Sequence, residues 1–162
     1  MNAILRNSLL AICGVVLALL LLWCAGLRVN LTPSLPKGVY LICPGTAGKG
    51  DLVSFCLEGE FAELARERGY LQTGSCPTGL RPLLKRVAGL PGDAIPDLAV
   101  RPADSLGRAL PSVPLVSAVP SGMALMLADH PGSFDGRYFG LVPLDALQRV
   151  KPLFLIPTQP GE

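Results

Sequence analysis

A serine and an amine are the two groups in this chain whose surroundings suggest chemistry. The amine is Lys85, in Leu83-Leu84-Lys85-Arg86-Val87-Ala88-Gly89-Leu90-Pro91-Gly92-Asp93. Leu83, Leu84, Val87 and Leu90 make its company apolar, and Pro-Gly is a preferred centre for a type II turn. The stretch therefore reads as a strand, pinned at one end, that carries a lysine among apolar side chains. A lone lysine on an edge strand is usually solvated. The serine is Ser34, in Thr32-Pro33-Ser34-Leu35-Pro36. Its two prolines deny the stretch a helix and make Thr32 and Leu35 extended. A loop serine is ordinarily a turn residue. Placed just outside a membrane segment and paired with a buried lysine, it becomes a nucleophile with its base. A lysine near its reference pKa of about 10.4 is almost wholly protonated at neutral pH. Apolar burial lowers that value towards the about 7–8 at which catalytic lysines work.

The membrane segment is the first element needed to position this pair. No residue between Arg6 and Arg28 is charged, and Ser8 to Leu27 is nearly all Leu, Val, Ala and Ile. Such a run of about 20 residues, rising about 1.5 Å each, matches a hydrocarbon core of about 30 Å. The expected anchor is a single transmembrane helix that meets the lipid bilayer through residues 8–27, within an N-terminal segment 1–28. A cleavable signal peptide is the rival, with Cys24-Ala25-Gly26 as its small-x-small site. Its apolar region would normally be only about 7–15 residues. The short tail carrying Arg6 predicts that the rest of the chain lies across the membrane from the cytoplasm, although Arg28 on the far flank weakens that asymmetry.

The remaining composition narrows the function classes. The chain has 162 residues, 50% hydrophobic and 16% charged, enough for one domain with a core plus an appendage. A formal net charge of +2 leaves no basic stripe for nucleic acid, and aromatic residues are too few for a base-stacking surface. Gly48-Lys49-Gly50 lacks the spacing of a phosphate loop and the helix that should follow. One histidine and no Cys-x2-Cys pair argue against a metal site, and nothing calls for a cofactor.

Short strands with Pro and Gly punctuation predict a mostly β domain over residues 29–162. Gly38–Ile42 and Asp51–Cys56 read as strands around a Pro44–Gly50 turn. Phe61, Leu64 and Ala65 recur at helical spacing within Glu58–Gly69, which Gly69 closes as a C-terminal cap. This is a small helical insert of residues 57–79, flanked by Cys56 and Cys76. In an oxidising compartment these two can join, closing a loop of about 20 residues worth roughly 3 kcal/mol. Cys43 is then left over. Ala94–Gly122 is rich in Pro, Ser and Ala and gives no register. Met123–Leu127 reads as a buried strand, residues 128–140 as a polar, glycine-rich loop, and Leu147–Ile156 as a last strand.

Three segments, in order after an N-terminal anchor, carry a family resemblance: the prolines around Ser34, the Lys85 stretch, and Ser133-Phe134-Asp135-Gly136-Arg137-Tyr138-Phe139-Gly140. Together they resemble the type I signal peptidases, and most closely the conjugative-transfer branch, the TraF peptidases. The likeness extends to the two cysteines around the Glu67-Arg68-Gly69-Tyr70 insert. The serine box departs from general signal peptidases in lacking the usual Ser-Met pair, which bears on substrate more than on chemistry. The resemblance implies a signal-peptidase-like β domain in which Ser34 is the nucleophile and Lys85 the general base. It places Ser133 beside the lysine amine as an orienting hydroxyl. Thr32 matches the residue whose hydroxyl joins the Ser34 backbone N–H in the oxyanion hole. It suggests that Asp135 is required for activity, while Arg137 reads as its structural ion-pair partner.

A rival Ser34–His130–Asp135 triad is disfavoured, because the lysine box already supplies a base. The expected protein is a membrane-anchored serine endopeptidase of the bacterial inner membrane, with its catalytic domain in the periplasm. It would remove a signal sequence from a membrane-bound, pilin-like precursor in conjugative transfer, alongside other conjugation proteins. Branch members are associated with cyclising their product, which the same Ser34 and Lys85 could support. The alternatives are a general type I signal peptidase and a non-catalytic anchored assembly factor.

Overall fold

The structure is a computed structural model that describes residues 3–24, 26–32 and 34–157. The chain opens with helix α1, Ala3–Cys24, and its Ala3–Leu21 stretch has a mean hydropathy of 2.3 with none of it covered by the rest of the protein. It is long and apolar enough to cross a membrane. It starts earlier than the expected 8–27, because Arg6 near one end can extend its charge past an apolar surface. It also ends earlier. Gly26 has φ 83°, a conformation that breaks a helix, and its carbonyl accepts the Ile42 N–H at 3.1 Å. Leu27 thus opens strand β1, Leu27–Asn30, instead of completing the membrane run, and the sheet begins two residues before the expected boundary at residue 29.

The strands that follow are β2 (Gly38–Ile42), β3 (Leu52–Phe55), β4 (Leu83–Gly89), β5 (Met123–Leu127), β6 (Leu141–Pro143) and β7 (Gln148–Leu155). They form one seven-stranded sheet in the order β1-β2-β7-β3-β4-β5-β6, and every pairing in it is antiparallel. The mostly β architecture with an apolar N-terminal helix is as the sequence predicts. The insert carries α2, Gly59–Glu67, whose Phe61, Ala62 and Ala65 are buried. Cys56 and Cys76 are joined, at a sequence separation of 20. Several described elements were not foreseen in the sequence: β1, the short edge strand β6, a 3-10 turn at Leu144–Ala146, and α3, Gly136–Phe139, a single turn inside what read as a loop.

The core lies between the sheet and the insert. Val53, Phe55, Leu83, Val87 and Met126 from the strands meet Phe61, Ala62 and Ala65 from α2. The third box also contributes to it. Phe134 lies 5.2 Å from Tyr70, 6.0 Å from Tyr138 and 5.6 Å from Phe139, centroid to centroid. Gly136 lets this turn lie directly on β5: a Cβ there would come within 2.6 Å of the Met126 carbonyl oxygen. Replacing Cys56 and Cys76 together by alanine should lower the unfolding free energy by roughly 3 kcal/mol, by release of loop-closure entropy. A denaturant titration under oxidising conditions checks this, and an unchanged midpoint would show that the insert holds without the bridge.

Candidate active site

Strand alternation decides where Lys85 goes. Along β4 the burial alternates, with Leu83, Lys85, Val87 and Gly89 inward. Lys85 stands opposite Val53 of β3 and is only 2% exposed. Leu83 and Val87 on the same face supply its apolar surroundings. Leu84, expected to help, falls on the other face with Arg86. No carboxylate among the described residues lies within ion-pair distance of the Lys85 amine. Burial pushes its pKa down to about 8; Asp135 opposes that shift and Arg137 adds to it.

The serine reaches the same place on a braced loop. Asn30, at the end of β1, is 6% exposed. Its Nδ2 donates to the carbonyls of Thr32, Leu35 and Pro36 at 3.1, 3.0 and 3.2 Å. Its Oδ1 accepts from the Thr32 N–H at 3.2 Å and the Thr32 hydroxyl at 2.8 Å. The Tyr40 hydroxyl donates to the Pro36 carbonyl at 2.5 Å, and Leu35 is buried beneath. From the other side, the Asp129 N–H donates to the Ser34 carbonyl at 3.2 Å. Asp129 is itself gripped by Arg86 through two bonds of 3.0 Å. Asn30, Tyr40, Arg86 and Asp129 were not singled out from the sequence. The one available signal was Asn30, a lone amide between Val29 and Leu31.

Ser133 closes the site. It is 7% exposed and its hydroxyl lies 3.1 Å from that of Ser34. The expected contact with the lysine amine is thus, in this state, a contact with the other serine. Asp135, 0% exposed, anchors the Ser133 loop. Its Oδ1 accepts the Arg137 N–H at 3.1 Å and Arg137 Nε at 2.8 Å; its Oδ2 accepts the Ala128 N–H at 2.9 Å and Arg137 Nη2 at 2.6 Å. Arg137 in turn donates to the Pro131 and His130 carbonyls. Both carboxylate oxygens are occupied, so Asp135 can reach substrate only through the loop it holds. His130 is exposed and its Nδ1 accepts the Gly132 N–H at 3.0 Å, so the triad geometry does not form. Thr32 is exposed, and its single hydroxyl proton points to Asn30. Serving an oxyanion would require it to leave that bond.

Ser34, Lys85, Ser133 and Thr32 all line one cleft of about 660 Å³. Val29 and Leu31 of the β1 side and Tyr70 and Leu71 of the insert side contribute to its walls. A hydroxyl and an amine of lowered pKa that line the same largely apolar cleft can together perform acyl transfer.

The buried amine has a thermodynamic signature. Folding depresses its pKa from 10.5 to about 8, so the unfolded state binds more protons between those values. The cost of burying the charged form is therefore fully present below about pH 8 and fades as the pH rises towards 10.5. Lys85→Met should raise the unfolding free energy by roughly 2–3 kcal/mol at pH 7, with the gain shrinking at pH 10. Denaturant melts of both proteins at the two pH values check this; an equal difference at both would remove the buried-charge argument.

Residues 2–97 match the protein family described as signal peptidase, peptidase S26. A probable conjugal transfer protein TraF of Sinorhizobium fredii is 36% identical, the match covering 75% of this chain and 72% of that protein. A conjugal transfer protein TraF of Agrobacterium fabrum is 37% identical, covering 80% and 82%. A plasmid transfer protein TraF of Escherichia coli is 38% identical, covering 73% and 76%. With the fold and the paired boxes in one cleft, these likenesses lead to one conclusion: the chain belongs to the signal peptidase family, peptidase S26, in its TraF-type branch.

Proposed function

We propose that this protein is a membrane-anchored Ser/Lys endopeptidase that processes a pilin-like precursor in conjugative transfer. The observation that carries the reading is Lys85, a buried amine without a carboxylate partner among the described residues, lining the cleft that holds Ser34. Neutral Lys85 takes the Ser34 hydroxyl proton as Oγ attacks the scissile carbonyl. The resulting ammonium then protonates the leaving amine, and the substrate's acyl group remains as an ester on Ser34. Ser133 orients the nucleophile across their 3.1 Å contact, and Asp135 with Arg137 keeps Ser133 in position. Thr32 and the Ser34 N–H are assigned to the oxyanion. The substrate lies extended along β1, an edge strand of the sheet, using main-chain hydrogen bonds.

The anchor α1 holds this domain at the inner membrane, with the domain on the periplasmic side. The oxidising environment there suits the Cys56–Cys76 bridge. A membrane-bound precursor is the natural partner of a nucleophile a few residues beyond such an anchor, and other conjugation proteins would receive its product. The TraF names of the relatives support the conjugation setting.

Ser34→Ala and Lys85→Arg should each abolish cleavage of the precursor in a folded protein, because arginine keeps the charge but cannot deprotonate. His130→Ala should remain active. Since the neutral amine is the base, kcat/KM should rise with pH through about 8 and level off above it. A Lys85→Arg protein that still cleaves, or a rate flat across that range, would sink the dyad.

The acyl-enzyme also has a second route. The ester sits in a cleft walled by apolar side chains, where water is limited. A substrate α-amino group that reaches it competes at high effective concentration and closes a peptide bond. The mature pilin made with the enzyme should then be one water lighter than the linear chain and lack a free N-terminus. Mass spectrometry that finds a linear product with both termini free leaves hydrolysis alone.

A further inference from the structure

The cleft carries charge that the dyad does not use. Asp104, one of its lining residues, is fully engaged within its own loop. Its carboxylate accepts the Tyr70 hydroxyl at 2.5 Å, Arg108 Nε at 2.8 Å, and the N–H groups of Leu106 and Arg108 at 3.0 and 2.9 Å. Ala103 bridges to Ala109, and the Leu110 N–H donates to the Pro102 carbonyl at 2.9 Å. The loop is therefore a closed knot, tied through Tyr70 to the disulfide-bridged insert.

Arg101 stands immediately before this knot and lines the cleft, and Arg81 lines it from the segment entering β4. Both are exposed, and neither guanidinium has an acceptor or carboxylate among the described residues. Arg101 is close to the chemistry. Its Nη1 lies 3.5 Å from where a Cβ on Gly132 would sit, and Ser133 is the next residue. Passing from that nitrogen through Gly132 and Ser133 to the Ser34 hydroxyl spans at most about 14 Å, or roughly four residues of extended peptide.

The geometry points to an anion subsite at Arg101, with Arg81 a second cation on the same cleft, that binds a carboxylate of the peptide substrate within a few residues of the scissile bond. The carboxylate is an acidic side chain or a free C-terminus; a guanidinium fork receives either in the same way. This inference rests on the peptidase reading and adds a specificity element to it. Asp104 cannot satisfy these arginines, because Tyr70 and Arg108 already hold it. The knot fixes the backbone that presents Arg101, which lowers the ordering cost of binding. The β1 wall, with Val29 and Leu31, follows α1 after only two residues and suits the apolar, membrane-proximal part of a precursor. The arginines suit its polar part.

The test uses the full-length protein in detergent micelles and a randomised peptide library whose cut sites are read by mass spectrometry. Half of the library has free C-termini and half is amidated, which separates the two sources of carboxylate. Wild-type cut sites should be enriched about tenfold for Asp, Glu or a free C-terminus at one fixed distance from the cut. That enrichment should fall away with salt and vanish in Arg81→Gln/Arg101→Gln. Arg101→Glu should invert it towards Lys and Arg. Lys151→Glu, the same charge change as Arg101→Glu but on exposed β7, should keep the acidic enrichment. Binding of the same peptides to Ser34→Ala, followed by fluorescence anisotropy, separates the site from the chemistry. Peptides cut without acidic enrichment, or an enrichment that survives the double arginine change, overturn the subsite and leave the peptidase reading standing. A protein that cuts nothing, yet binds carboxylate peptides about tenfold over their amides in an arginine-dependent way, keeps the subsite and overturns the peptidase reading. Neither cutting nor preferential binding overturns both.

Discussion

The amine of Lys85, held inside the protein without a carboxylate partner among the described residues, is the constraint on which the rest of the structure depends. An ammonium in that position is costly, and a nearby carboxylate would relieve the cost only by restoring the ordinary pKa of a charged lysine. The sheet avoids that outcome. β3 and β4 supply Val53, Leu83 and Val87 around the amine, while the neighbouring cation Arg86 is turned to the other face and matched with Asp129. Asp135 is near enough to influence the amine, yet its own charge is held by Arg137. The arrangement keeps a carboxylate in the site's framework without letting it become the lysine's counter-ion.

Under the proposed mechanism two loops must share that cleft with little freedom left, since a loosely held nucleophile forfeits most of the advantage of proximity. The Ser34 loop has little regular secondary structure to stiffen it. Asn30 compensates by bonding to both its start and its end, and Tyr40 and Asp129 add a contact each. The Ser133 loop is secured differently. Phe134, Tyr138 and Phe139 bury it in the core, and the Asp135–Arg137 pair fixes its curvature. The Arg86–Asp129 pair couples the two, because Asp129 bonds to the Ser34 carbonyl and lies a few residues before Ser133.

The insert belongs to the same system. Its disulfide and the burial of α2 give Tyr70 a firm base, and Tyr70 packs on Phe134 while bonding to Asp104. Through these contacts the insert-side wall of the cleft is linked to the loop that carries Ser133. The sheet and the insert thus form one support for the cleft, and the apolar β1 side and the arginine-bearing segments give it walls of different character.

Much of the design was legible in the order of residues. The apolar N-terminal run, the strands at Gly38–Ile42 and Met123–Leu127, and the α2 helix with its flanking cysteines all follow from local pattern, where period, turn chemistry and composition act over a few residues. Even the alternation that buries Lys85 with Leu83 and Val87 is written in the parity of β4. The end of the apolar helix was misjudged because Leu27 is as apolar as its predecessors, and only its pairing with Leu41 removes it from the helix. The turn at Gly136–Phe139 was missed because its glycines and charges resemble a solvent loop until three aromatic side chains find the core. What only the tertiary structure decided is which polar groups meet. Asn30 with the Ser34 loop, Arg86 with Asp129, and Ser133 with Ser34 across 99 positions are long-range or irregular contacts without a local period. They arise when the sheet closes, because buried polar groups must then find partners wherever the fold has brought them.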